Sequence, residues 1–78
     1  MHRLTVYTRA GCHLCEEAVE AAAGIAAETG SAFTTVDVDA DPEDQAEYGD
    51  LVPVILVDEV VHGYYRVEPD RLRAALAG

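Results

Sequence analysis

Near its start, an apolar and β-branched run, Leu4-Thr5-Val6-Tyr7-Thr8, gives way to helix-favouring residues that extend from about Cys12 to Thr29. A strand that turns this abruptly into a helix defines the first unit of the fold, because both elements then share one apolar layer. At the junction stand the chain's two cysteines, in Cys12-His13-Leu14-Cys15. A helix N-terminus carries partial positive charge and unpaired N–H groups. Both favour a thiolate, the reactive species, over a thiol. Two thiols at the tip of a strand and the start of a helix are therefore placed to exchange electrons. The flanking elements also make the pattern more specific than a bare C-x-x-C.

Seventy-eight residues, 1–78, make one small domain. Chains this short bury a modest core, and some need a disulfide or metal staple. Cysteines this close in sequence cannot staple distant segments, because the loop they close is tiny. The core has to come from packing, and a hydrophobic content of 50% is enough for that. Fifteen acids against five arginines, with no lysine, give a net charge of −10. That argues against nucleic-acid or anionic-membrane partners, which need basic patches; a strongly acidic surface serves solubility. No stretch approaches ~20 apolar residues, so no membrane span is expected, and the N-terminus lacks an apolar signal region. A cytoplasmic setting and a monomer are the expectations. In that setting a C-x-x-C pair is catalytic or metal-binding rather than structural.

The rest of the chain reads as alternating elements. Leu14, Ala18, Ala21 and Ile25 recur at helical spacing, and Gly30 supplies the C-terminal stop. Phe33 to Asp39 reads as a second strand, with Val36 and Val38 on one side and Asp37 and Asp39 on the other. Asp41-Pro42 opens a short helix as N-cap and first helical residue, and Gly49 closes it. Val54-Ile55-Leu56-Val57 is a continuous apolar run, as in a central strand buried on both faces. Asp58-Glu59 reads as a tight turn, although it lacks the usual glycine. Val60 to Val67 is the returning strand. Pro69 opens a last helix with Leu72, Ala75 and Leu76 inward. The expected fold class is α/β, with order βαβαββα and a four-stranded mixed sheet flanked by helices.

Tyr7-Thr8-Arg9-Ala10-Gly11-Cys12-His13-Leu14-Cys15 resembles the active-site segment of glutaredoxins, and Val52-Pro53 before an apolar strand resembles the Val-Pro pair of the thioredoxin superfamily. The resemblance runs over essentially the whole chain. It is nearest to a small glutaredoxin-like group with Cys-His-Leu-Cys and a C-terminal part like His62-Gly63-Tyr64-Tyr65-Arg66-Val67. It implies a thioredoxin-like fold and thiol–disulfide oxidoreductase activity. There are differences. His13-Leu14 stand where glutaredoxins have Pro-Tyr, and Leu51 where they have Thr. Gly63-Tyr64-Tyr65 replace a Gly-Gly pair and the acidic residue that helps hold glutathione. Val6 stands where thioredoxins carry a buried Asp. The resemblance thus carries the redox chemistry and leaves open which thiol drives it.

In this reading Cys12 is the nucleophile, its pKa lowered from ~8.5 by the helix N-terminus, and Cys15, one turn further in, resolves the mixed disulfide. The alternative is a pair of inert small core residues. His13, if protonated, would stabilise the Cys12 thiolate; otherwise it faces solvent, and Glu16 and Glu17 oppose it electrostatically. Arg9 occupies a basic position of glutaredoxins, where it would support the thiolate or hold a substrate carboxylate; the alternative is a solvated loop arginine. The resemblance makes Pro53 a cis proline facing the cysteines, with the Val52 N–H and C=O free to pair with an extended substrate. Tyr7, Tyr48, Tyr64 and Tyr65 fit half-buried packing or a partner surface. Asp37, Asp39 and Asp41 imitate a calcium loop, but Pro42 and Tyr48 stand where such a loop needs Gly and Glu. They read instead as strand-end and helix-cap acids. His2 and His62 read as surface or edge residues.

No bound cofactor is expected beyond the Cys12–Cys15 disulfide, with an external thiol or flavin reductase as electron donor. The expected partners are a disulfide-containing protein or a low-molecular-weight thiol, and a reductase. The rival reading is a metal or iron–sulfur module, for which one C-x-x-C supplies two of four ligands.

Overall fold

The computed structural model describes residues 2–77. Strand β1 (Arg3–Thr8) leads into helix α1 (His13–Thr29), then β2 (Ala32–Asp37) and a 3-10 turn at Val38–Ala40. Helix α2 (Pro42–Tyr48), strands β3 (Val54–Val57) and β4 (Val60–Tyr64), and helix α3 (Pro69–Leu76) complete the order βαβαββα. The four strands form one mixed sheet in the order β2-β1-β3-β4. β2 runs parallel to β1, while β3 is antiparallel to both β1 and β4.

Strand alternation decides where the core sits. Leu4 and Val6 of β1 point to the same face as Ile55 of β3 (Val6 pairs with Ile55), and all three are buried. Onto this face pack Ala22, Ile25 and Ala26 of α1 and Leu72 and Leu76 of α3, with Val19, Phe33, Val57 and Val67 at the margin. Fully burying a side chain the size of Leu or Ile contributes about 1.5–3 kcal/mol, so this layer dominates the fold's stability. The opposite face is only partly covered. There Thr5, Tyr7, Thr34, Val36 and Leu56 floor an open groove of about 670 Å³ against Tyr48 of α2. β3 is buried on both faces through Val54, Ile55 and Leu56, as its unbroken apolar run implied.

Local signals set the element ends. Gly30 adopts a left-handed conformation at φ 69° and donates its N–H to Ala26 O, and Ser31 N–H donates to the same carbonyl. The Asp41 carboxylate accepts from Glu43 N–H at 2.8 Å, capping α2 with Pro42 in its first turn. The Asp58-Glu59 turn has both residues at positive φ, 52° and 70°, the conformation of a primed hairpin turn. Without glycine, the turn is held by the Asp58 carboxylate, which accepts from Arg3 N–H at 2.8 Å and pairs with the His2 ring.

Four expectations are corrected. The buried stripe of α1 is Cys15, Ala18, Ala22, Ile25 and Ala26; the Leu14–Ala21 phase was wrong, and Leu14 is exposed. Alanine-rich helices carry little side-chain contrast, so their phase is poorly marked in sequence. β2 ends at Asp37, because Asp37 caps the following 3-10 turn by accepting from Asp39 N–H; Val38 is nonetheless buried. β4 ends at Tyr64, before Tyr65 enters the left-handed region at φ 70°. Of the surface or edge places expected for His2 and His62, His62 does lie on the edge strand β4, but both residues are half-buried rather than at the surface, and burial holds the His62 pKa below its usual value, aided by the Arg71 charge.

Replacing Gly30 by Ala tests the cap. A Cβ there meets nothing within 4 Å, so the whole cost is backbone conformation. Urea denaturation of the G30A variant should show a loss of about 1 kcal/mol with an unchanged m-value.

Candidate active site

Cys12 is the N-cap of α1, extended at φ −96° and ψ 107°, and its Sγ accepts from Cys15 N–H at 3.1 Å. The Thr8–Cys12 loop that delivers it turns at Gly11, φ 74°, where glycine avoids the cost of a side chain. Cys12 N–H closes that turn on Arg9 O at 3.3 Å. Cys12 and Cys15 are joined as a disulfide with Cα atoms 5.2 Å apart. Cys12 is half-exposed, whereas Cys15 sits at 3% exposure among the core residues of α1. The pair thus has one sulfur facing out and one facing in. Cys12 and Cys15 line an open pocket of about 370 Å³ with Thr8, Arg9, Glu16 and Val19.

Arg9 is tied into the frame around the cysteine loop. Its Nε donates to Asp39 Oδ2 at 3.2 Å and its Nη1 to Gly49 O at 3.2 Å. Asp39 Oδ1 also accepts from Gln45 Nε2 at 2.9 Å. Arg9 therefore ties the cysteine loop to the 3-10 turn and to the end of α2. His13 faces solvent, with 82% of its side chain exposed, and lies 3.8 Å from the carboxylates of Glu16 and Glu17.

The Val52–Pro53 peptide is cis, as the resemblance implied. Pro53 is buried, one step beyond the Tyr7–Val54 pair of β1 and β3, and so at the sheet end from which the cysteine loop departs. Pro53 O accepts from Tyr65 N–H at 2.7 Å. Among the described residues, no backbone hydrogen bond engages the Val52 N–H or C=O.

Sequence reasoning missed the clamp residues Asp39, Gln45 and Gly49, which lie thirty to forty residues from Arg9 and carry no motif. It also placed Leu14 on the buried face and left Tyr64 and Tyr65 open between half-buried packing and a partner surface. Leu14, Tyr64 and Tyr65 are 49%, 44% and 49% exposed. Leu14 and Tyr65 line a shallow groove of about 170 Å³ with Glu17, Arg66 and Val67. Tyr7 and Tyr48, by contrast, pack edge-to-face with centroids 4.8 Å apart. The three aspartates act as strand-end, clamp and cap residues. Among the described residues, no group of three or more His, Cys, Asp or Glu is gathered to hold a metal, so a four-donor site at the cysteines would draw donors from outside the chain.

Comparison with known proteins gives a consistent result. Residues 3–77 match the family model described as Glutaredoxin-like domain (DUF836). The chain is 39% identical to uncharacterized proteins of Mycobacterium tuberculosis and Mycobacterium bovis, over 96% of its own length and 82% of theirs. It is also similar to the structural-genomics target protein XcR50 of X. campestris: 40% identity, TM-score 0.74, 94% of this chain and 93% of that one covered. For protein Ne2328 of Nitrosomonas europaea the values are 27% identity and TM-score 0.78, with 94% and 88% covered.

Two measurements probe the site's construction. In R9Q the loss of the clamp should cost about 1 kcal/mol and speed amide exchange across the Thr8–Cys12 loop. Burial raises the pKa of both Tyr7 and Tyr48, with Asp44 and Glu47 foremost among the reinforcing carboxylates. A raised folded-state pKa means these phenols contribute full stability below their unfolded pKa of about 10 and lose it as pH climbs through the folded value. An ultraviolet titration should show two tyrosines ionising above the usual phenol range, with stability falling over that alkaline range.

Proposed function

The chain belongs to the glutaredoxin-like domain family, and we propose that it is a thiol–disulfide oxidoreductase that works through both cysteines. The observation that carries this reading is the asymmetric Cys12–Cys15 disulfide at the N-terminus of α1, one sulfur accessible and the other buried. In the reduced protein, Cys12 as thiolate would keep the Cys15 N–H bond and the positive end of the helix dipole.

The cycle balances as follows. The Cys12 thiolate attacks one sulfur of a substrate disulfide; the substrate S–S bond breaks, and the departing thiolate takes a proton from water. Cys15, deprotonated to solvent, then attacks Cys12 Sγ. This expels the second substrate thiol and leaves the intramolecular disulfide. Two electrons pass from protein to substrate. An external low-molecular-weight thiol or a flavin reductase returns them. The Val52 backbone beside Pro53, free of backbone partners, would align an extended substrate as an added strand. Arg9 serves by positioning the loop, and His13 as a solvent-facing neighbour of Cys12. Substrates would be disulfide-bearing proteins or small disulfides, met by a monomer in the cytoplasm. Among the described residues, no helix is long and apolar enough to cross a membrane.

Reduction of bis(2-hydroxyethyl) disulfide by the dithiothreitol-reduced protein tests the reading. C12S should fall to background. C15S should release one thiol per protein and accumulate a mixed disulfide on Cys12, seen as a mass gain of one substrate half. Full activity in C12S would refute the proposal.

A further inference from the structure

We propose that the disulfide partner is a positively charged polypeptide segment, selected against anionic disulfides by the charge of the sheet end that carries Cys12. This rests on the thiol–disulfide reading and specifies its substrate class.

The argument begins with topology. β1 and β2 are parallel, and Thr8 pairs with Asp37, so both strands end at the cysteine end of the molecule; β3 begins there. The segments gathered at that end, residues 8–17 and 37–53, contain nine acids and a single arginine, Arg9. The rest of the chain pairs six acids with four arginines. Most of the net charge of −10 therefore belongs to the segments that meet at the sheet end carrying Cys12.

Local geometry removes the one cation that could offset it. The Arg9 guanidinium is bound by Asp39 and Gly49 O, so its charge is already compensated. Glu16 shares the Cys12 pocket, and Glu16 and Glu17 are exposed at 80% and 64% of their side chains. Arg66 lines a groove that Glu17 also lines. An anionic disulfide would approach against this field, while a cationic one is steered in.

Exposed apolar side chains argue for a polypeptide. Leu14 and Tyr65 share the groove beside α1, and Tyr64 lies 6.3 Å from Tyr65 between ring centroids. Tyr65 is held there in a left-handed conformation, with its N–H on Pro53 O, so the patch is anchored next to the backbone that would receive a substrate strand. A patch of three large exposed residues offers more contact than a small disulfide uses.

The test is single-turnover oxidation of the pre-reduced protein by three peptides that share one looped disulfide and differ only in flanks of lysine, serine or glutamate. Bis(2-hydroxyethyl) disulfide serves as a neutral reference. At low salt the lysine peptide should react at least about 10-fold faster than the glutamate peptide, with the serine peptide between them. The ratio should collapse toward one at ~1 M salt, where the Debye length is about 3 Å. The serine peptide should also outpace the reference, through contact with the apolar patch. In E16Q/E17Q the lysine-to-glutamate ratio should shrink; because it is a ratio, any common change in Cys12 reactivity cancels. Equal rates for lysine and glutamate peptides, or a faster glutamate peptide, overturn the inference while leaving the oxidoreductase reading intact, provided the reference disulfide is reduced. If the serine peptide is no faster than the reference, the polypeptide part is overturned. If no disulfide is reduced at all, both readings fall together.

Discussion

The packing of α1 against the Leu4–Val6–Ile55 face of the sheet is the interaction on which the rest depends. It fixes the rotation of the helix about its axis, and that rotation decides the fate of four consecutive residues. Cys15 turns into the core, Leu14 turns out, His13 faces solvent, and Cys12 is left at the cap. One sulfur is thereby shielded by the same apolar layer that stabilises the protein, while the other stands at the end of a helix dipole. A cysteine pair with one half-exposed and one buried member is a by-product of ordinary core packing, with no residue dedicated to creating the asymmetry.

The surroundings of the pair are organised by polar contacts between segments remote in sequence. Arg9 draws the cysteine loop, the 3-10 turn and the end of α2 together through Asp39 and Gly49, and Pro53 O ties the start of β3 to Tyr65. These links gather acidic segments at one end of the sheet. The charge of the chain, which taken as a sum bears mainly on solubility, becomes a directed field once folded. The arginine that sequence comparison places near the thiol is used to hold the frame.

Much of the architecture was legible from neighbouring residues. The β-branched run of β1, the Asp41-Pro42 start of α2, Gly30 at the end of α1 and the apolar run of β3 each mark an element through contacts within a turn or a strand pair. Errors arose where the deciding contact is distant or the local contrast weak. Six alanines among the seventeen residues of α1 left the phase of its buried face poorly marked. Val38 and Asp39 read as strand residues, whereas the Asp37 carboxylate caps a 3-10 turn that begins at Val38. Val60 to Val67 read as one strand, because nothing local announces that Tyr65 takes a positive φ.

What the sequence determined by itself is the order of elements and the position of Cys12 and Cys15 at a strand–helix junction, because capping, propensity and periodicity act over a few bonds. Tertiary structure alone decided which cysteine is buried, what Arg9 binds, that Leu14, Tyr64 and Tyr65 stay exposed, and that Glu16 shares the pocket of the disulfide. Those outcomes depend on residues thirty to fifty positions apart, and their relative placement exists only once the sheet has assembled and α1 has found its rotation on it.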